Sequence, residues 1–236
     1  GDYFPVQARM ISVSALVPSS NFAWTWTFSL PSLHLALIGF TPATFRLIFR
    51  LKEMIEPLKL QGIADIASKS AVGSGFDAGS ALGPVISAKQ QQRVHAYIES
   101  GRKEGAEIAY QGKAPGGNGF FVAPTIFVNP KRDARIVREE IFGPVLVATP
   151  IDDLDEIVRV ANDTRYGLGA GIFTRDVSKA HRLAERVQSG NVWVNCYGMV
   201  HPTMPFGGYK ESGWGREMSI EGLDAFLETK SVFIQL

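Results

Sequence analysis

The only thiol in the sequence, Cys196, is the one candidate for a cysteine nucleophile. The candidate bases are the four histidines, His34, His95, His181 and His201. None of their spacings favours a catalytic pair or a metal site. Because Cys196 ends an apolar run, we interpret it as a buried structural cysteine rather than a reactive one.

Two adjacent carboxylates, Glu139 and Glu140, stand directly before an apolar turn, Ile-Phe-Gly-Pro at residues 141–144. Composition alone predicts that one of them is solvated and the other hydrogen-bonded. On this basis the pair does not by itself identify an active site.

Three glycine clusters, at residues 73–75, 116–119 and 167–171, raise the question of nucleotide binding. A dinucleotide fingerprint is G-x-G-x-x-G between a strand and the amino end of a helix. The first cluster has Ala78 at the sixth position, and the second precedes a predicted strand. We therefore interpret the clusters as turns and sites of close packing.

A chain of 236 residues is long enough to bury a substantial core, as one large domain or two small ones. Its net charge of +1 and 45% hydrophobic content exclude a disordered chain and a strongly basic nucleic-acid binder. A single cysteine excludes an internal disulfide framework and a multi-cysteine zinc site, which predicts a reducing compartment such as the cytoplasm.

The stretch between Arg9 and Arg46 contains no charged residue, whereas charges occur at ordinary density beyond it. Three prolines interrupt this stretch, so it lacks the roughly 20 uninterrupted apolar residues of a membrane-spanning helix. We expect either buried strands or a sequence that is not native to the fold.

From residue 145 onward, apolar strands alternate with amphipathic helices. Asp153 and Asp176 are placed to cap the two helices, and Gly190 is predicted to end the second in a left-handed conformation. Strands and helices alternating at this spacing predict the α/β class, with a parallel sheet and helices on both of its faces. The predicted strands are residues 145–149, 168–174 and 191–195.

Upstream, an amphipathic pattern predicts a helix over residues 87–105 and a strand over residues 120–128 that Pro124 interrupts. Alternating apolar residues at 231–236 predict an exposed edge strand at the end of the chain. The inward face of the helix is predicted to consist of Val94, Tyr97 and Ile98.

Taken in order and with their spacing, four motifs resemble the carboxy-terminal landmarks of the aldehyde dehydrogenase superfamily. Three weaker motifs extend this resemblance upstream, so that it covers roughly three-quarters of the chain, residues 59–236. The four motifs lie at residues 139–144, 161–168, 192–197 and 205–213, and the weaker ones at 72–77, 82–86 and 119–125.

In this family a cysteine thiolate attacks an aldehyde, the adduct gives hydride to the nicotinamide of NAD or NADP, and water activated by a glutamate releases a carboxylic acid. The resemblance implies that Glu140 and Phe142 hold the nicotinamide-side ribose, the first through its carboxylate and the second through its ring. Gln90, and Arg93 where lysine is common, match positions that contact the ribose region from a helix.

Two further positions match the family's substrate tunnel. Phe206 matches an aromatic residue that lines it, and Val200 matches a variable position. Asn195 and Gly207 match structural positions near the tunnel. An apolar lining of this kind implies medium-sized or aryl-alkyl aldehydes as substrates.

The resemblance places the nucleophile near Ala43 or Thr44, but no cysteine occurs there, and no glutamate precedes Glu53. We therefore assign no catalytic residue, and we predict that residues 1–58 are a disrupted or out-of-frame version of the native segment. Translation of the underlying DNA in its other two frames tests this prediction. If a cysteine-bearing family motif is absent from both frames, the prediction is contradicted.

The leading hypothesis is a truncated aldehyde dehydrogenase homologue that does not oxidise aldehydes as written. Residues 59–226 would be a partial catalytic domain, and residues 227–236 resemble an oligomerisation strand that implies a homo-oligomer. The alternative is a non-catalytic self-association module. A third hypothesis, a membrane anchor at residues 10–45, has the weakest support.

Overall fold

The computed structural model of the chain describes residues 10–16, 23–29, 36–41, 44–50, 57–151 and 153–236. Strands come first along the chain, and strands then alternate with helices. The elements are β1 (Met10–Leu16), β2 (Ala23–Ser29), β3 (Ala36–Thr41), β4 (Thr44–Arg50), α1 (Pro57–Lys69), α2 (Ala88–Lys103), β5 (Glu107–Gln111), β6 (Thr125–Val128), α3 (Arg135–Arg138), β7 (Val145–Ile151), α4 (Leu154–Asn162), β8 (Tyr166–Gly167), β9 (Gly169–Phe173), α5 (Val177–Arg186), β10 (Asn191–Val194), β11 (Tyr209–Lys210), α6 (Ser219–Leu223) and a 3₁₀ turn (Asp224–Phe226).

Most of the described strands form one seven-stranded sheet in the order β10-β9-β3-β4-β7-β6-β5. β10, β9, β4, β7 and β6 share one direction, while β3 and β5 run the opposite way. The predicted α/β class is confirmed, although the sheet is mixed rather than wholly parallel. The cause is connectivity, because the short link between β3 and β4 can join only antiparallel strands.

Two hydrophobic clusters hold the helices to this sheet. The first joins Val94, Tyr97 and Ile98 of α2 to Phe127 of β6 and Val147 of β7. The second joins α4 and α5 to β9. Every residue of β6 and of β9 is buried, which requires cover on both faces of the sheet.

Helix starts follow the sequence closely. Ser87, Asp153 and Asp176 each cap a helix, and each side chain accepts a hydrogen bond from the backbone N–H three residues later. The predicted helix over 87–105, its inward face and the two predicted aspartate caps are therefore confirmed. The glycines at 167–171 lie in β8 and β9 rather than before a helix.

Two local predictions are wrong. Gly190 is not a left-handed helix end, since α5 ends at Arg186 with an extended cap at Val187. Instead, a side chain at Gly190 would collide with the backbone oxygen of Gly207, so glycine is needed there for a close approach. Residues 120–123 form no strand, and the carbonyl groups of residues 120 and 121 accept hydrogen bonds from Val85 and Gln91 instead.

Two further predictions differ from the structure in detail. Cys196 is half-buried rather than buried, and residues 231–236 form no strand within the described chain. The described parts of residues 10–45 are strands, and none of the helices in the described residues has the length and hydropathy to cross a membrane.

Candidate functional site

Residues 139–144 connect α3 to β7 through a turn of unusual backbone geometry. Glu139 follows α3 with an extended backbone, and Ile141 is fully buried. Phe142 has a φ of 58°, a left-handed conformation that a bulky side chain rarely adopts. Such a conformation persists only when neighbouring structure imposes it.

Two side chains of α2 supply that support. Gln90 Nε2 donates to the carbonyl oxygens of Ile141, at 3.2 Å, and Phe142, at 2.8 Å. Arg93 Nη2 donates to the carbonyl oxygen of Glu140 at 2.9 Å. Residues three apart lie on one face of a helix, so both side chains reach the same turn and hold three consecutive carbonyl groups.

Gly143 lets this turn approach the helix. A Cβ at this position would lie 2.6 Å from Cγ2 of Val94, which is fully buried in α2. A real Cβ does not tolerate so short a separation. The absence of a side chain at Gly143 is therefore a condition for the contact between the turn and α2.

The adjacent carboxylates have opposite environments. Glu139 accepts a 2.7 Å hydrogen bond from the Tyr97 hydroxyl, and Arg135 Nε lies 3.1 Å from both of its carboxylate oxygens. The Tyr97 hydrogen bond, followed by the hydrogen bond and charge of Arg135, lowers the pKa of Glu139 below its ordinary value. Glu139 is thus the hydrogen-bonded member of the pair, although it is also the more exposed of the two.

Glu140 is half-buried, and among the residues that the structure describes its carboxylate makes no hydrogen bond or ion pair. Burial raises the pKa of Glu140, and the nearby charge of Arg93 opposes that shift. Its backbone is held while both carboxylate oxygens keep their acceptor capacity. Next to it, Phe142 leaves 41% of its surface exposed. A hydroxyl-bearing ligand beside an aromatic ring would satisfy both side chains.

Phe206 and Val200 lie in the segment between β10 and β11. The Phe206 backbone exchanges two hydrogen bonds with Glu217, of 2.8 and 2.7 Å, and its side chain is half-buried. Val200 is 41% exposed and follows a loop that Trp193 anchors by donating from Nε1 to the Met199 carbonyl at 2.8 Å.

The sheet gathers these segments at one edge. The Glu140 turn precedes β7, and Asn191 at the start of β10 donates to the carbonyl of Gly207, next to Phe206. Both segments therefore lie at the amino ends of the strands that run in the common direction. In open α/β sheets ligands usually bind at the opposite, carboxyl ends.

The predicted position of the nucleophile lies between these two segments. β3 and β4 stand between β9 and β7 in the sheet, and the end of β3 and the start of β4 fall at the same edge. Ala43 lies outside the described residues, whereas Thr44 begins β4 opposite the start of β7. Three strand spacings separate β9 from β7, or ~14 Å across the edge.

The structure thus brings together all four predicted cofactor residues, Gln90, Arg93, Glu140 and Phe142, and adds a role that sequence reasoning missed. Gln90 and Arg93 hold the backbone of the turn. The sequence contains one signal for the hydrogen bonds that join Tyr97 to Arg93 and Glu139. Tyr97 is predicted to face inward, and a buried tyrosine needs a partner for its hydroxyl.

Known proteins resemble this chain in sequence and in fold. The sequence pattern of the aldehyde dehydrogenase family matches residues 46–232. The fold and site define an α/β domain with a carboxylate and an aromatic ring presented at a sheet edge, and the chain belongs to the aldehyde dehydrogenase family. The matched range begins inside β4, so it includes part of the segment 1–58 that we predict to be atypical.

Individual proteins with similar sequences are also aldehyde dehydrogenases. Phenylacetaldehyde dehydrogenase of Pseudomonas fluorescens is 45% identical over 177 residues, covering 74% of this chain and 35% of that protein. Mitochondrial aldehyde dehydrogenase of Leishmania tarentolae is 48% identical over 166 residues, covering 70% and 33%. The chain therefore spans about a third of the length of these relatives.

A solved structure of aldehyde dehydrogenase from Bacillus cereus in complex with NAD+ superimposes with a TM-score of 0.75 at 39% sequence identity. The superposition covers 81% of this chain and 38% of that one. The described fold is thus that of a part of an aldehyde dehydrogenase.

Proposed function

We propose that this chain forms the nicotinamide-side half of an NAD(P)-dependent aldehyde dehydrogenase site, in which an aldehyde is oxidised to a carboxylic acid by hydride transfer. The observation that carries the proposal is Glu140, a half-buried carboxylate whose backbone carbonyl is held by Arg93 and whose oxygens accept no hydrogen bond from the described residues. The adjacent hydroxyls of a ribose are suitable donors for two such oxygens.

The residues of the turn fit the cofactor in chemical type. Glu140 accepts ribose hydroxyls, and the exposed ring of Phe142 limits where the nicotinamide can lie. Gln90 and Arg93 keep the turn in place from α2. Bound NAD(P)+ would supply the hydride acceptor, and this chain's residues would orient it at the sheet edge.

For the substrate, we propose an apolar or aromatic aldehyde. Phe206 and Val200 would contribute one apolar wall of its tunnel. The match to a phenylacetaldehyde dehydrogenase supports this class. We further propose that the chain works in the cytoplasm, as its single cysteine indicates.

Cofactor binding is tested by calorimetric titration of the chain with NAD+ and NADP+. Glu140→Gln keeps the shape of the side chain but removes its charge, and it should weaken binding about tenfold or more, since hydrogen bonds to charged groups are strong. Glu99→Gln on the exposed face of α2 is the matched control and should bind like the wild type. Equal affinities for Glu140→Gln and the wild type would refute the ribose role.

Turnover is a separate question. Because the sequence has no cysteine near Ala43 or Thr44, we propose that the chain as given does not oxidise aldehydes. Incubation of the purified chain with NAD+ and phenylacetaldehyde should give no sustained rise in NADH absorbance. Steady NADH production that scales with protein concentration would overturn this part of the proposal.

The second candidate function is self-association without catalysis. It is favoured by the end of the chain, where Val232, Phe233 and Ile234 expose 69%, 96% and 80% of their surfaces. The exposed apolar residues 232–234, within the segment 227–236, are suited to pairing with a second copy.

Light scattering on a size-exclusion column tests this candidate. We expect a dimer or larger assembly for the full chain and a smaller species for Phe233→Asp. Exposed Glu228→Gln is a control for a polar change in the same segment. A full chain that is already monomeric would discard self-association.

A further inference from the structure

Tyr97 is the buried centre of a polar network beneath the Glu140 turn. Its side chain is 1% exposed, and its hydroxyl donates to Glu139 Oε2 at 2.7 Å. The same hydroxyl accepts a longer hydrogen bond, of 3.4 Å, from Arg93 Nη2. A buried hydroxyl with both donor and acceptor functions satisfied is costly to remove.

Glu139 is fixed from two directions. Besides the Tyr97 hydroxyl, Arg135 donates from Nε to its carboxylate, and the Arg135 guanidinium lies over the Tyr97 ring, 4.3 Å from its centroid. Arg135 is itself anchored, since its backbone N–H donates to Glu104 at 2.7 Å. α2 and α3 therefore grip the carboxylate of Glu139 jointly.

Both ends of this network reach the peptide unit of Glu140. Glu139 precedes it in the chain, and Arg93, the other partner of the Tyr97 hydroxyl, holds the carbonyl oxygen of Glu140. A shift of Tyr97 would thus move the backbone on either side of the carboxylate that we assign to the ribose.

A purely stabilising role does not account for this arrangement. Glu139 is half exposed, with 49% of its side chain accessible, and an exposed ion pair with Arg135 contributes little to stability. The two partners of the Tyr97 hydroxyl both act on Glu140: Glu139 precedes it in the chain, and Arg93 donates to its carbonyl oxygen.

We propose that Tyr97 and Glu139 are positioning residues for the cofactor clamp: they orient the Glu140 carboxylate and the Phe142 ring without touching the cofactor. This inference rests on the proposed function, in which Glu140 and Phe142 hold the ribose. It assigns the first of the two adjacent glutamates a task distinct from that of the second.

Backbone order in the unliganded chain tests the inference directly. Tyr97→Phe removes only the hydroxyl and keeps the ring beneath Arg135, while Glu139→Gln removes only the charge. In both variants the amide order parameters of residues 140–143, measured by NMR relaxation, should fall from about 0.85 to below about 0.6. Those of α2 should stay unchanged.

Matched controls make the same chemical changes elsewhere. Tyr110→Phe removes a half-buried hydroxyl that makes no hydrogen bond to the described residues, and Glu99→Gln removes an exposed charge from α2. Both controls should leave the order of residues 140–143 at the wild-type value. Thermal unfolding of each variant identifies any that fails to fold, and Glu139→Gln, at a half-exposed site, keeps the test available if Tyr97→Phe does not fold.

Binding provides the second measurement. Titration with NAD+ should show a dissociation constant about tenfold higher for Tyr97→Phe and for Glu139→Gln, at temperatures where both are folded. Unchanged order at residues 140–143, or lower order with wild-type affinity, would overturn the positioning role. If the wild type itself does not bind NAD+ or NADP+, the proposed function fails, and the order parameters still decide whether Tyr97 and Glu139 hold the turn.

Discussion

Glu139 and Glu140 are neighbours in sequence with opposite pKa shifts. Hydrogen bonds from Tyr97 and Arg135 lower the pKa of Glu139, whereas burial raises that of Glu140. A carboxylate whose acceptors are used inside the protein serves the fold, and one with free acceptors is available to a ligand. The structural environment, rather than residue type, separates the two roles.

The shift at Glu139 predicts a pH effect on stability. Its folded-state pKa lies below the ordinary value of 4.5, so its stabilising contribution is present above that pH and is lost as the pH falls through the folded-state value. The difference in free energy of unfolding between the wild type and Glu139→Gln should therefore shrink below about pH 4.5.

Urea unfolding at a series of pH values from about 6 to about 3 measures that difference. Comparing two variants at each pH removes the contribution of the other acidic groups. A difference that stays constant over the whole range would show that the contacts with Tyr97 and Arg135 do not favour the ionised carboxylate.

At the scale of elements, α2 organises the site. One helix supplies the buried Val94 and Tyr97 to the core and the polar Gln90 and Arg93 to the turn. Its start is set by Ser87, whose hydroxyl accepts from the Gln90 backbone N–H at 3.2 Å. The cap therefore fixes the first turn of the helix. This turn contains Gln90, one of the two side chains that hold the backbone of residues 140–142.

Loss of that cap should lower the stability of the chain. Ser87→Ala should lower the free energy of unfolding by about 1 kcal/mol, since the helix loses a partner for an otherwise unpaired N–H. Ser87→Asn retains a capping oxygen and should stay close to the wild type. Chemical denaturation followed by circular dichroism measures both, and equal losses in the two variants would exclude the cap as the cause.

At the scale of the whole molecule, the mixed sheet brings distant segments to one edge. The turn at residues 139–144 before β7, the start of β4 and the segment at Phe206 all lie at the amino ends of the strands with the common direction. The position of Phe206 in turn depends on Gly190, where the chain approaches the backbone of Gly207.

Gly190→Ala tests this long-range contact. The added Cβ would meet the Gly207 carbonyl oxygen, and because backbone cannot move aside as a flexible side chain can, we expect a loss of about 1–3 kcal/mol. Gly215→Ala, where a Cβ would meet nothing within 4 Å, is the control and should be nearly neutral. Thermal unfolding of both variants gives the comparison, and a stable Gly190→Ala would show that the segment can relax.

Several features followed from the sequence alone. The capping aspartates, the period of the helices after residue 145 and the buried face of α2 depend on neighbours within one or two turns, so local pattern was enough to predict them. The family resemblance that the order and spacing of short motifs carry likewise implied Glu140 and Phe142 as cofactor residues.

Only the tertiary structure decided how those residues are held. Gln90, Arg93 and Tyr97 bond to residues 139–142, which lie 42 to 52 residues away in the chain, and no local period encodes such pairs. The direction of β3, the close approach at Gly190 and the different environments of Glu139 and Glu140 likewise arise from packing between segments. Hydrogen-bond partners and burial are properties of the folded chain, because they depend on which surfaces meet once the sheet has formed.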